Sequence, residues 1–307
     1  MVHILATGRL GKEFSDAIKK IDNEFKGRYV DTPSPEDIDW ADCLAAFSVP
    51  EEVNISGIKW IHSFGAGVES YISRKDLSAR TILTKTTGNL GFKMGEFCLC
   101  HMLNYFQGTF KIYEHNRNRK WEPTSPQSLM DMTVLILGTG EMATGISNLL
   151  QPMRTTVIGV NSTGKVSDRS FSECIVFDSI KTTVDRVSCV INTLPLTKYT
   201  NGLLNARFFN LFEDILFINV GRGKSVVAGD LIPAIEKNNV AYAVLDVFEE
   251  EPLPGDSPLW THPKIFISPH QSAVTDIRDI MDSFCQAYEL MKSNKKNNLF
   301  VDFEKGY

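Results

Sequence analysis

The stretch Thr133-Val-Leu-Ile-Leu-Gly138-Thr139-Gly140-Glu141-Met142-Ala143 decides how this chain is read. Its first five residues are a near-continuous apolar run, the pattern of a strand covered on both faces. A glycine-rich turn follows, and MATGISNLLQ continues as a helix. Strand, G-x-G-x-x-A and helix, in that order, form the joint on which α/β folds hold a dinucleotide. Gly138 permits the tight turn. Gly140 lets the backbone approach a pyrophosphate, whose charge the helix N-terminus favours. Ala143 stands where the fingerprint has its third glycine. Glu141 is discordant, because a carboxylate beside phosphates must point away. The alternative is an ordinary strand–turn–helix joint.

Outward from this joint, TTVIGV, CVINT, DILFINV, YAVLDV and KIFIS are further near-continuous apolar runs. Helical connections such as DLIPAIEKNN separate most of them, which describes a doubly wound domain over about residues 100–275. Upstream, VHILA, DCLAAF and IKWIHSF read as strands and EFSDAIKKI as a helix. Met94–Arg119 reads as one long proline-free helix, and EPTSPQS as a loop. After Ala273 come a helix, TDIRDIMDSFCQAYELMKS, and a tail, LFVDFEKGY.

The composition limits the function classes. The 307 residues allow two domains of ordinary size. Apolar residues are 43% and charged residues 22%, a globular balance. A formal charge of −5 gives no basic footprint for nucleic acid. The six cysteines fall mostly in apolar runs, as buried thiols of a reducing compartment do, and have no histidine cluster for a metal. No stretch approaches the ~20 apolar residues of a membrane span. These features lead us to expect a cytoplasmic protein with no metal, membrane or nucleic-acid partner.

The second strand of a dinucleotide fold ordinarily ends in an acid that binds the ribose hydroxyls. Here TTVIGV is followed by Asn161, with no carboxylate before Asp168. An acid would repel a 2′-phosphate; asparagine does not, and Ser162, Thr163 and Lys165 can donate to one. These residues favour NADP, with NAD as the alternative.

Three later strand ends carry polar side chains: Arg222 after FINVG, Asp246 and Glu251 around AVLDVFEEEP, and His270 after KIFISP. Carboxyl ends of parallel strands are where such sheets collect their chemistry. Histidine exchanges protons near neutral pH, and of the six only His270 stands between a buried strand and small residues. A carboxylate bonded to it would favour the imidazolium. Arg222, between two glycines, has the donor fork that suits a carboxylate next to a carbonyl.

NTLPLTKYTNGLLN, FINVGRGKSVVAGDLIPAI, VLDVFEEEPLPGDSPLW and ISPHQSA resemble, in order and spacing, the successive signatures of the D-isomer-specific 2-hydroxyacid dehydrogenases. The closing VDFEKGY resembles that family's return into its first domain. The resemblance implies two Rossmann- or flavodoxin-like α/β domains. One is a discontinuous substrate domain (1–97 and 276–307), and the other is an inserted, doubly wound dinucleotide-binding domain (98–275). It implies reduction of a small 2-oxo acid such as glyoxylate, hydroxypyruvate or pyruvate, and a homodimer formed through the dinucleotide domain. The subgroup nearest in character is the short, NADP-using 2-oxo-acid reductases.

By the same resemblance Arg222, Glu251 and His270 are the catalytic trio. Asp246 contacts the nicotinamide amide, and Leu194 and Pro195 line the adenosine side. Thr200, Val220, Gly221, Ser272 and Ala273 complete the cofactor contacts. Ala66 and Gly67, in SFGAGVE, hold the substrate carboxylate by their N–H groups, with Phe47 and Met94 beside the substrate. Glu69 stands where the family has aspartate. Two other readings are kept: a dinucleotide-sensing corepressor-type protein, and a dehydrogenase of a larger substrate such as 3-phosphoglycerate.

Overall fold

The computed structural model describes residues 1–21, 24–78, 80–166 and 168–307. The chain divides into two compact units, Met1–Asn89 with Thr275–Tyr307, and Leu90–Val274.

The first unit opens with β1 (Val2–Ala6), α1 (Gly11–Ile18), β2 (Phe25–Tyr29) and α2 (Pro35–Trp40). It continues with β3 (Cys43–Ala46), β4 (Trp60–Ser63), α3 (Glu69–Ile72) and β5 (Ile82–Lys85). The strands form a parallel sheet in the order β2-β1-β3-β4-β5. Strand periodicity sorts the side chains: Ile4 and Ala6 join the core on one face, Leu5 that on the other. Each fully buried Ile or Leu contributes roughly 1.5–3 kcal/mol.

The second unit runs through α4 (Leu90–Phe106), α5 (Thr109–Arg117), β6 (Thr133–Leu137), α6 (Glu141–Leu150), β7 (Thr156–Val160) and β8 (Glu173–Ile175). There follow β9 (Val187–Asn192), α7 (Ala206–Phe209), β10 (Ile215–Asn219), α8 (Ala228–Glu236), β11 (Val240–Leu245) and β12 (Ile265–Ile267). All seven strands pair in parallel in the order β12-β11-β10-β9-β6-β7-β8. Consecutive residues of β6 alternate between two cores, Val134 and Ile136 on one face, Leu135 and Leu137 on the other. This is why the run carries no polar side. The order reverses between β6 and β9, the switch point at which such sheets bind ligands. The chain then returns to the first unit as α9 (Ile277–Lys292). Its tail pairs antiparallel with β5, Thr84 opposite Phe300, with Val301 N–H donating to Leu83 O at 2.9 Å.

Several expectations change. The helix expected over Met94–Arg119 is two helices, separated at Gly108, whose φ of +69° leaves the helical region. The boundary expected at 97/98 falls inside α4. That helix buries Met94, Cys98, Met102 and Phe106 in the second unit's core, so the division lies before Leu90. The strands β2 (FKGRY), β5 (ILTK) and β8 (ECI) carry polar residues that break the apolar pattern and go beyond the sequence expectation.

Candidate active site

His270 lies three residues beyond β12 in a left-handed conformation, φ +50°. For a side chain with a Cβ this costs roughly 1–2 kcal/mol, so something must hold it. The holder is Asp246, directly after β11. Its carbonyl accepts the His270 N–H at 2.9 Å. Its carboxylate accepts from Ser268 Oγ at 2.5 Å, Gln271 N at 2.8 Å and Ser272 N at 2.9 Å. Asp246 is 0% exposed. With these donors its carboxylate positions the His270 loop.

The imidazole Nδ1 of His270 lies 2.7 Å from Glu251 Oε2. The other oxygen, Oε1, accepts the Phe248 N–H at 2.9 Å. Both carboxylate oxygens are thus engaged, and Nε2 is the ring nitrogen left for other chemistry. The His270 side chain is 54% exposed and that of Glu251 36%, so a ligand can reach the pair.

Arg222, half-buried, lies three residues past β10, and its Nη1 donates to Gly221 O at 2.7 Å. Its two glycines have a steric cause. A methyl group at Gly223 would come within 1.9 Å of the Phe248 carbonyl carbon, and one at Gly221 within 2.8 Å of Leu194 O. The Arg222 turn is thereby pressed between the loop that carries Glu251 and the loop after β9.

A buried polar ladder, absent from the sequence reading, fixes the same turn. Asn192 Nδ2 donates to Asn219 Oδ1 at 2.8 Å and to Ser225 Oγ at 2.7 Å. Ser225 Oγ in turn donates to Arg222 O at 2.6 Å. Its signal was an asparagine at the end of each of two otherwise apolar strands, where a buried amide must find partners.

At the cofactor turn Gly138 adopts φ +100°, and a methyl group there would strike Thr193 Oγ1 at 2.7 Å. Gly140, at the N-cap of α6, has open space where a side chain would be, and no side chain caps the helix. That opening at a helix N-terminus fits a pyrophosphate. Thr139, Glu141 and Met142 are half-buried, and Thr139 and Glu141 both have partners. Asn161 works differently from the expectation. Its Oδ1 accepts Thr163 N at 3.0 Å and Gly164 N at 2.7 Å. Its Nδ2 donates to Thr139 Oγ1 at 3.1 Å and Lys165 O at 3.0 Å. The amide is spent on shaping the loop and tying it to the glycine turn. Ser162, Thr163 and Lys165 stay exposed on that loop.

Leu194, Pro195 and Thr200 form one half-buried loop after β9, closed by Thr200 Oγ1 on Pro195 O at 2.5 Å. Val220, just after β10, and Met94, on α4, turn their side chains into the core, at 3% and 9% exposure. Ser272 is buried with its N–H on Asp246, and Ala273 packs on the edge of the same core.

In the first unit the loop after β4 is held by Ser63 Oγ, which donates to Gly67 O and accepts Gly65 N, each at 3.3 Å. Among the described residues the N–H groups of Ala66 and Gly67 have no partner and are half-exposed, as an anion-binding turn requires. Phe47, after β3, packs edge-on against Phe64 with ring centroids 5.7 Å apart.

Comparison with known proteins agrees with this geometry. The family model described as D-isomer specific 2-hydroxyacid dehydrogenase, NAD binding domain, matches residues 99–272. The glyoxylate/hydroxypyruvate reductase A of Photorhabdus laumondii is 30% identical over 280 residues, covering 87% of this chain and 88% of that one. The solved D-isomer specific 2-hydroxyacid dehydrogenase family protein of Aeromonas salmonicida superposes with a TM-score of 0.86 at 26% identity, over 98% of each chain. The NADPH-dependent glyoxylate/hydroxypyruvate reductase of Sinorhizobium meliloti, solved with NADP and sulfate, shares the fold with a TM-score of 0.87 at 23% identity, over 99% of each chain. The chain belongs to the D-isomer specific 2-hydroxyacid dehydrogenase family.

Proposed function

We propose that this protein reduces a small 2-oxo acid, of the glyoxylate, hydroxypyruvate or pyruvate kind, to the D-2-hydroxy acid at the expense of NADPH. The observation that carries the reading is the His270–Glu251 pair at 2.7 Å, seated beside the Arg222 turn in a nucleotide-type sheet. The name of the Photorhabdus laumondii relative supports the substrate class.

In this reading Glu251 holds and orients His270 by Nδ1, while Nε2 donates a proton to the substrate carbonyl oxygen. Arg222 binds the 2-oxo acid and polarises that carbonyl. The N–H groups of Ala66 and Gly67 take the substrate carboxylate. The pyrophosphate rests on the Gly138–Gly140 turn, and Ser162, Thr163 and Lys165 meet the 2′-phosphate. When bound, the dinucleotide supplies the hydride. NADPH oxidation with a panel of small 2-oxo acids tests this; cofactor binding without turnover on any of them would overturn it.

The assembly is proposed as a homodimer. It is supported by α5, in which no residue is buried, with Ile112 42%, Tyr113 63% and the following Trp121 101% exposed. A monomer in sedimentation at micromolar concentration would contradict it. No helix among the described residues is long and apolar enough to cross a membrane, and all six cysteines are free. We place the protein in the cytoplasm.

A further inference from the structure

Three neighbouring strands of the first sheet, β1, β3 and β4, end side by side, and each ends in something unusual. After β4 comes the turn with two unpartnered N–H groups. After β3 comes Phe47, whose ring packs on Gly65 of that turn; a methyl group on Gly65 would lie 3.4 Å from Phe47 Cδ1. After β1 comes Arg9, whose guanidinium carbon sits 4.6 Å from the Phe47 ring centroid.

Arg9 is presented there by a backbone that works against its own preferences. Gly8 before it has φ +69°, and Leu10 after it has φ +64°. Leucine in the left-handed region is a true outlier, of the kind that collects at ligand-binding positions. Yet Arg9 is exposed, and among the described residues it makes no ion pair. The neighbouring carboxylate, Asp31 after β2, instead takes the hydroxyl of Tyr29. The result is an exposed arginine held over an aromatic face, reachable by an incoming anion.

Resting on the reductase reading above, we propose that Arg9 is a specificity-determining residue. It receives the distal end of the substrate and favours 2-oxo acids that carry a second anionic group, carboxylate or phosphate. The substrate's own 2-oxo acid end occupies the Ala66–Gly67 turn, and Phe47 forms the floor between the two charges. The planar fork of arginine suits either anion, and stacking pre-organises it.

The test is a steady-state comparison of substrates of matched length with NADPH: oxaloacetate against 2-oxobutyrate, and 3-phosphohydroxypyruvate against hydroxypyruvate. The wild type should favour the doubly charged member of at least one pair, and which pair tells carboxylate from phosphate. Arg9→Met should lower that preference roughly ten- to a hundredfold, through KM rather than kcat, as loss of a charge-assisted hydrogen bond does. Arg9→Lys, which keeps the charge without the fork, should fall between them. A wild type without preference in either pair, or a ratio that Arg9→Met leaves within twofold, overturns the proposal while reduction of glyoxylate leaves the reductase reading standing. If the wild type reduces none of these acids, nor glyoxylate, the reductase reading itself fails, and this inference with it.

Discussion

His270 and Glu251 are joined Nδ1 to Oε2 at 2.7 Å, and the remaining carboxylate oxygen of Glu251 is already taken by the Phe248 amide at 2.9 Å. The glutamate cannot swing away without leaving a backbone donor unmet. That fixes the imidazole plane and leaves Nε2 as its one working nitrogen. Glu251→Gln keeps the size but replaces one carboxylate oxygen of this clamp with an amide N–H donor. We expect kcat for 2-oxo acid reduction to fall on the order of 10²-fold with the KM for NADPH little changed. A loss under threefold in steady-state kinetics would remove Glu251 from this role.

Asp246 braces the loop that carries His270. Its carboxylate is the shared acceptor for Ser268, Gln271 and Ser272. Asp246→Asn turns one acceptor into a donor facing buried donors. The variant should lose about 1–3 kcal/mol in urea unfolding, and kcat should drop as the His270 loop relaxes. Wild-type stability in that titration would sink the idea.

The loop after β7 should select the phosphorylated cofactor. Lys165 is exposed on a turn that Asn161 ties to Thr139. We expect kcat/KM to favour NADPH over NADH by at least about tenfold, and Lys165→Ala to remove most of that margin, the size of one charge-assisted contact. Equal values for the two cofactors in the wild type would contradict the preference.

His62 gives the first unit a pH dependence. It is 0% exposed, between Thr84 and Thr86 at 2.9 and 3.3 Å, and burial holds its pKa down to about 3 from 6.5. The folded state therefore binds this proton less readily than the unfolded state. Its contribution is intact above about pH 6.5 and is lost as pH falls toward 3. Between pH 7 and 5 the wild type should lose about 2 kcal/mol more than His62→Gln, measured by denaturant unfolding at each pH. Parallel pH profiles for the two proteins would show that His62 does not titrate on unfolding.

Much of the second unit was legible because its strands are buried on both faces. An unbroken short run such as TVLIL, closed by a glycine turn, reads as a buried strand, and that turn then places the switch point. Arg222, Glu251 and His270 stood out because polar, titratable or charged side chains in the loops that follow such runs need a reason to be there. What stayed hidden depends on geometry that spacing does not encode. Asp246 reads from sequence as a cofactor contact; that its carboxylate also braces the His270 loop depends on three donors that spacing does not show. Asn161 likewise looked like a reader of the cofactor, yet its amide is consumed by its own loop. The side chains of Val220 and Met94 pack in the core, which spacing alone does not show. Short strands with mixed polarity, such as FKGRY, gave no pattern at all.

The central claim is that His270 delivers the proton. The direct measurement is single-turnover oxidation of NADPH by His270→Ala with saturating glyoxylate, beside the wild type. The account predicts a rate lower by on the order of 10²–10⁴, with NADPH still bound. A variant that turns over within a few-fold of the wild type would contradict it.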